Sequence, residues 1–138
     1  MKKYLLVLTV VFSVAVSAQK SDATAQAKAA FTKAYPKATK VVWENEDGNY
    51  EVSFEQNTKK MSVIYNPKGS LVESELEMNT SELPASVTAY MKEHYKGVAL
   101  KGAAKITKAD GSINYEAAIK GKDVLFDTNG KFIKEVKK

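Results

Sequence analysis

The chain has 138 residues and no Cys, which excludes a disulfide framework, a lipid-bearing cysteine and thiolate metal sites. Its formal net charge is +5, from 21 basic and 16 acidic residues. Every basic residue is Lys, so the planar guanidinium fork that grips phosphates and guanine edges is missing, and nucleic-acid recognition is disfavoured.

The chain opens MKKYLLVLTVVFSVAVSAQK, with Lys2 and Lys3 before a largely apolar stretch from Tyr4 to Val16 that closes in Val16-Ser17-Ala18. This is the pattern of a secretory signal peptide over residues 1–18, giving Gln19 as the mature start and a periplasmic or secreted product. The apolar stretch is shorter than the roughly 20 residues a spanning helix needs, so no membrane span is expected after cleavage; a retained amphipathic anchor is the alternative. Residues 19–138 suffice for one domain that buries about two thirds of its unfolded surface.

Ser21 or Asp22 can cap a first helix running to about Tyr35, with Ala27, Ala30, Phe31, Ala34 and Tyr35 on one stripe and Pro36 as the stop. From Ala38 the period becomes two, through ATKVVWENE, YEVSFE, KMSVIYN and SLVESELE. Asp47-Gly48-Asn49, Gln56-Asn57-Thr58 and Pro67-Lys68-Gly69 break these runs, which predicts four antiparallel strands joined by hairpins. Val41, Trp43, Tyr50, Val52, Phe54, Met61, Val63 and Tyr65 share the inward parity, so Trp43 reads as a core residue and not as a stacking platform. Glu44, Glu51, Ser53, Glu55 and Ser62 point the other way, and the preceding helix is the expected cover for the apolar face.

The programme then runs again. Leu83-Pro84 opens a second helix with Pro at its first position, Val87, Tyr90, Met91 and Tyr95 form its stripe, and Gly97 stands where a stop is expected. Strands follow as VALKGAAKITK, INYEAAIK, DVLFD and KFIKEV. Tyr35-Pro36-Lys37 matches Tyr95-Lys96-Gly97, Asp47-Gly48 with Tyr50-Glu51 matches Asp110-Gly111 with Tyr115-Glu116, and Tyr65 to Leu71 matches Phe126 to Phe132. Three anchors in one order predict an α+β fold of two tandem repeats, about 22–78 and 83–138, each a helix on a four-stranded meander, with the strands able to join in one eight-stranded sheet.

Catalytic and metal signatures are sparse. His94 is the lone His and lies at the end of a helix, where the dipole accommodates it; no H-E-x-x-H, G-x-S-x-G or phosphate-cradling loop occurs, so no enzyme activity, cofactor or transition-metal site is expected. Asn45 to Asn49 and Asp127 to Gly130 are rich in oxygen ligands but lack the twelve-residue calcium-loop spacing, and tight turns call for the same residues. Charge is uneven: residues 30–82 hold six Lys against nine acids, a balance of −3, and residues 83–138 hold eleven against six, a balance of +5. Glu44, Glu51 and Glu55, with Glu73, Glu75 and Glu77, can make an acidic patch on the sheet face away from the first helix, suited to steering a basic partner.

AFTKAYPKATKVVWENEDGNYEVSF, SVIYNPKGSLVESELEM, LPASVTAYMKEHY and LFDTNGKFIKEV resemble the exported bacterial proteins called β-lactamase-inhibitor-like, PepSY-like, over essentially all of residues 25–138. The resemblance implies a cell-envelope protein with tandem helix-and-sheet units and a role in binding or inhibiting another protein. It also implies that a hairpin turn can project an acidic side chain into a partner's cleft, for which Asp47 is the matching residue. The expected partner-binding residues are therefore Glu44, Asp47, Asn49, Glu51 and Glu55, with an unidentified envelope or extracellular protein as partner. A small-ligand or calcium-binding envelope protein is the alternative.

Overall fold

The computed structural model describes residues 22–137, so the expected signal peptide, the mature start at Gln19 and the candidate cap Ser21 lie outside it. Helix α1 spans Ala25–Ala34 and is followed by strands β1 (Thr39–Glu46), β2 (Asn49–Gln56), β3 (Lys59–Tyr65) and β4 (Leu71–Met78). After a single 3-10 turn at Thr80–Glu82, helix α2 (Ala85–His94) precedes β5 (Gly102–Lys108), β6 (Ile113–Ile119), β7 (Lys122–Asp127) and β8 (Phe132–Lys137). The eight strands form one sheet in sequence order, each antiparallel to the next, with β4 hydrogen-bonded directly to β5.

Both helices lie on one face of this sheet. Ala27 and Phe31 of α1 pack on Val52, Phe54, Val63 and Tyr65, while Val87 and Met91 of α2 pack on Ala103, Ala117, Val124 and Phe126. Phe54 and Phe126, one in each cluster, are the two largest fully buried side chains. Trp43 is half-buried and meets Phe31 edge-on at 5.5 Å between ring centroids.

Each helix begins against the last hairpin of the four strands that follow it. The Thr24 hydroxyl caps α1 by accepting from the Ala27 N–H at 3.3 Å and donates to the Pro67 carbonyl at 2.8 Å. The Ser86 hydroxyl in the first turn of α2 donates to the Asn129 carbonyl at 3.1 Å. The two hairpins are built alike: Asn66 Oδ1 accepts from the N–H groups of Lys68 and Ser70, and Asp127 Oδ1 from those of Asn129 and Lys131. The Asp127 stretch, oxygen-rich in the sequence, thus uses a carboxylate oxygen to hold its own turn.

Four local expectations are corrected. Thr24, one turn later than the expected residues, caps α1: its side chain reaches both the helix amide and the neighbouring hairpin. Pro84 occupies the cap position of α2, one residue before the helix proper, with extended backbone. Residues 98–101 precede β5 and are not part of it. Val41 does not turn inward: Lys40 takes a positive φ of 53°, the β1–β2 register shifts between Thr39 and Val42, and Val41 is left 40% exposed.

Candidate functional site

The sheet face opposite the helices carries no helix or strand over it among the described residues, yet much of it is shielded from water. Glu51, Glu73, Glu75, Glu116 and Asp123 are all buried, at 8% exposure or less, beside the fully buried Ile106 and the 1% exposed Leu125. Register shifts at Ile64/Tyr65 and Leu125/Phe126 put bulges at matching places on the two halves, and bulges add twist and bend to a sheet. The bent sheet draws side chains of this face together across neighbouring strands.

Register defines the layout. Glu44 stands opposite Glu51, Glu51 opposite Ile64, Ile64 opposite Glu73, and Glu73 opposite Lys108. The adjacent row runs Ser53, Ser62, Glu75, Ile106, Asn114 and Asp127. Carboxylates of the first half therefore meet residues of β5 and β6 only because β4 and β5 pair.

Burial governs the chemistry of these acids. Glu51 is pushed up to about 7, chiefly by desolvation and further by Glu46, Glu44 and Glu73, with the Ser62 hydroxyl pulling the other way. Glu46 is also raised to about 7, by burial and then by Asp47, Glu73 and Glu44; neither of its carboxylate oxygens has a hydrogen-bond partner. Burial raises Glu73 too, against the pull of Lys108 and Lys134. Glu75 is raised well above the usual range, first by burial and then by Glu116, Glu51, Glu73 and Asp123.

The five expected partner-binding residues divide between two environments. Asp47 is exposed at the tip of the β1–β2 hairpin, where φ values of 47° at Asp47 and 82° at Gly48 form the tight turn. Glu44 is exposed near that tip and Asn49 is half-buried on the returning strand opposite Glu46. Glu51 is buried at 3% exposure, so it shapes the charge of the face without offering itself to a partner. Glu55 lies at the far end of β2, paired with Lys40 at 2.9 Å.

Strand parity alone could have added Glu116 and Asp123, which alternate with the apolar residues of β6 and β7 as Glu51 does on β2. Their closeness to Glu75 depended on the β4–β5 junction, which no local pattern encodes. A pocket of ≈ 180 Å³ opens at that junction, lined among others by Lys60, Glu75, Glu77, Lys101, Gly102 and Glu116. Among the described residues no group of three or more His, Asp or Glu side chains is arranged to hold a metal ion. His94 is exposed and stacks on the Tyr90 ring at 4.1 Å between centroids.

Among the described residues no helix is long and apolar enough to cross a membrane. No protein-family profile and no curated protein matches the chain. Solved structures do. A protein from Bacteroides eggerthii provisionally described as periplasmic superposes with a TM-score of 0.76 at 17% identity, over 85% of this chain and 90% of its own. A DUF2874 family protein from Bacteroides uniformis gives 0.73 at 20% identity, over 83% and 89%. A BLIP-like protein from Bacteroides fragilis gives 0.64 at 23% identity, over 81% and 84%, so the chain has the α+β fold of a BLIP-like protein: two helices on one face of an eight-stranded antiparallel sheet.

Proposed function

We propose that this protein is a non-enzymatic, exported binding or inhibitor-like module of the bacterial cell envelope, resident in the periplasm, that engages another protein through the open face of its sheet and the β1–β2 hairpin. The observation that carries this reading is the open face itself: eight strands present a broad, rigid surface with no covering element among the described residues, and it concentrates carboxylates held out of water. A rigid surface of this kind loses little conformational entropy on binding. The periplasmic placement draws on the leader pattern of residues 1–18 and on the description of the Bacteroides eggerthii neighbour.

We further infer that the domain is a duplicated PepSY-like unit. The paired helix-to-hairpin contacts, Thr24 with Pro67 and Ser86 with Asn129, and the twin Asn66 and Asp127 turns support duplication. Two copies fused edge to edge give a face twice as wide as either alone.

The test is a pull-down from an envelope extract with residues 19–138 as bait, beside a Glu44→Lys, Asp47→Lys variant, at low salt where charge steering is strongest. The reading predicts a protein retained by the unaltered bait and reduced or absent with the variant. Equal recovery by both baits would remove the hairpin from the contact surface, and no recovery by either would contradict the binding role.

A further inference from the structure

A groove runs between α1 and β1 on the helix side of the sheet, away from the open face. It encloses ≈ 380 Å³ and is lined by Phe31, Tyr35 and Pro36 from the helix end, by Val41 and Trp43 of β1, and by Lys28. Sites for small ligands start at about 300 Å³ and are mostly apolar with a few polar groups. Phe31 stands edge-on to Trp43 and tilted against Tyr35, at 5.5 and 5.7 Å between ring centroids, so three rings build the wall.

Backbone and charge both set this groove apart from an accidental dent. Lys40 holds a left-handed φ of 53°, and the β1–β2 register shifts between Thr39 and Val42. A non-glycine residue in that region costs about 1 to 3 kcal/mol, and such strain and bulges gather where a side chain is re-aimed for function. Here the distortion sets Val41, 40% exposed, on the lip of the groove.

The charge has one sign. Among the described residues lining the groove the charged side chain is Lys28, near the N-terminal end of α1, where the helix dipole disfavours a cation and an anion alongside would offset it. The second half repeats the plan. A groove of ≈ 410 Å³ lies beside α2, where Met91, Lys92, Tyr95 and Val98 recur at the spacing of Phe31, Thr32, Tyr35 and Ala38, and its charged lining residues are again lysines, Lys92 and Lys96.

We propose that the α1–β1 groove binds a single-chain anionic amphiphile, a free alkyl carboxylate, with its chain along Phe31, Tyr35, Val41 and Trp43 and its carboxylate at Lys28. Roughly 10 Å of helix separates Lys28 from Tyr35, which suits one chain of medium length lying along the groove. A volume of ≈ 380 Å³ is at the low end for ligand sites and favours one chain over the two of a bilayer lipid. The methylene stem of Lys28 can lie on the same apolar wall while its ammonium group meets the carboxylate. This site is separate from the open face and does not rest on the protein-binding reading.

Trp43 is the single Trp of the chain, so its fluorescence reads this groove alone. The experiment titrates the protein with decanoate below its micelle concentration, with the equally long cation decyltrimethylammonium, and with acetate. A saturable blue shift of Trp43 emission is expected with decanoate, about fivefold weaker binding with the cation, and no shift with acetate. Lys28→Glu should reverse the preference, weakening decanoate by about tenfold and tightening the cation.

Val41→Asn supplies a second variant that leaves every charge in place. Val41 is exposed, so the change spares the core, removes the apolar lip and should weaken decanoate and the cation alike by about threefold. Thermal unfolding of both variants checks that the fold is kept. No saturable shift with decanoate, equal binding of the cation, or an unaltered decanoate affinity in either variant would each overturn the proposal.

Discussion

Glu51 stands directly opposite Glu44 on the β1–β2 ladder, so a carboxylate buried at 3% exposure faces one left in solvent. Like charges placed across a strand pair repel. Here the repulsion adds to desolvation, and the result is a face whose charge depends on pH near neutrality.

Stability should fall as pH rises from 5 to 8. Glu46 and Glu51 titrate near the ordinary 4.5 when unfolded and near 7 in the fold, so between those values the folded state holds more protons and its advantage is lost as pH climbs. At about 1.4 kcal/mol per pH unit, a shift of this size corresponds to roughly 3 kcal/mol for buried Glu51; half-buried Glu46 is screened by solvent and contributes less, and the two groups act on each other, so their contributions do not add. Thermal unfolding should give a Tm higher at pH 5 than at pH 8 by roughly 10 °C. A Tm that rises over that interval would contradict the burial of these carboxylates.

Glu51→Gln separates Glu51 from its neighbours. The amide imitates the protonated acid, so the variant should match the unaltered protein at pH 5 and exceed it by about 1 to 3 kcal/mol at pH 8. Denaturant unfolding at the two pH values reads the difference. An equal loss of stability at both would mean that Glu51 holds the sheet together through its hydrogen bonding and not through its charge.

Three backbone substitutions should separate by size and sign, two destabilising and one stabilising. A Cβ at Gly69, where φ is 80°, would lie 2.6 Å from the Gln26 carbonyl oxygen in the first turn of α1, so Gly69→Ala should cost about 2 to 4 kcal/mol. Gly48, at φ 82° with nothing within 4 Å, should lose only about 1 kcal/mol as Ala. Thr58 is a β-branched residue at φ 65°, and the matching hairpin of the second half uses Gly121 at φ 78°; Thr58→Gly should therefore stabilise by roughly 1 kcal/mol. Chemical denaturation of the three variants measures all of these.

Much of the fold was legible because local signals agreed with one another. Alternation at Tyr50, Val52 and Phe54, the Asp47-Gly48 turn and the Val87, Tyr90, Met91 stripe each announced an element with the right face inward. Val41 escaped because one left-handed residue, Lys40, reverses the alternation, and nothing in Thr39-Lys40-Val41 marks a bulge. The site was legible only in part. Parity put Glu44, Glu51 and Glu55 on one face, but parity does not reveal burial: Glu51 is sunk among Ile64, Glu73 and Ser62, whereas Glu44 on the edge strand stays in water. The pocket depends on β4 meeting β5, a pairing between residues about thirty apart with a helix between them.

The central claim is that partners dock on the open face and not on the helices. Photo-crosslinking residues placed singly at Glu44 and Glu77 on the open face, and at Lys33 and Lys92 on the outer sides of α1 and α2, test it in an envelope extract. All four positions are exposed. The account predicts the same protein captured from Glu44 and Glu77 and little or nothing from Lys33 and Lys92. Capture from the helix positions alone, or equally from all four, would contradict it.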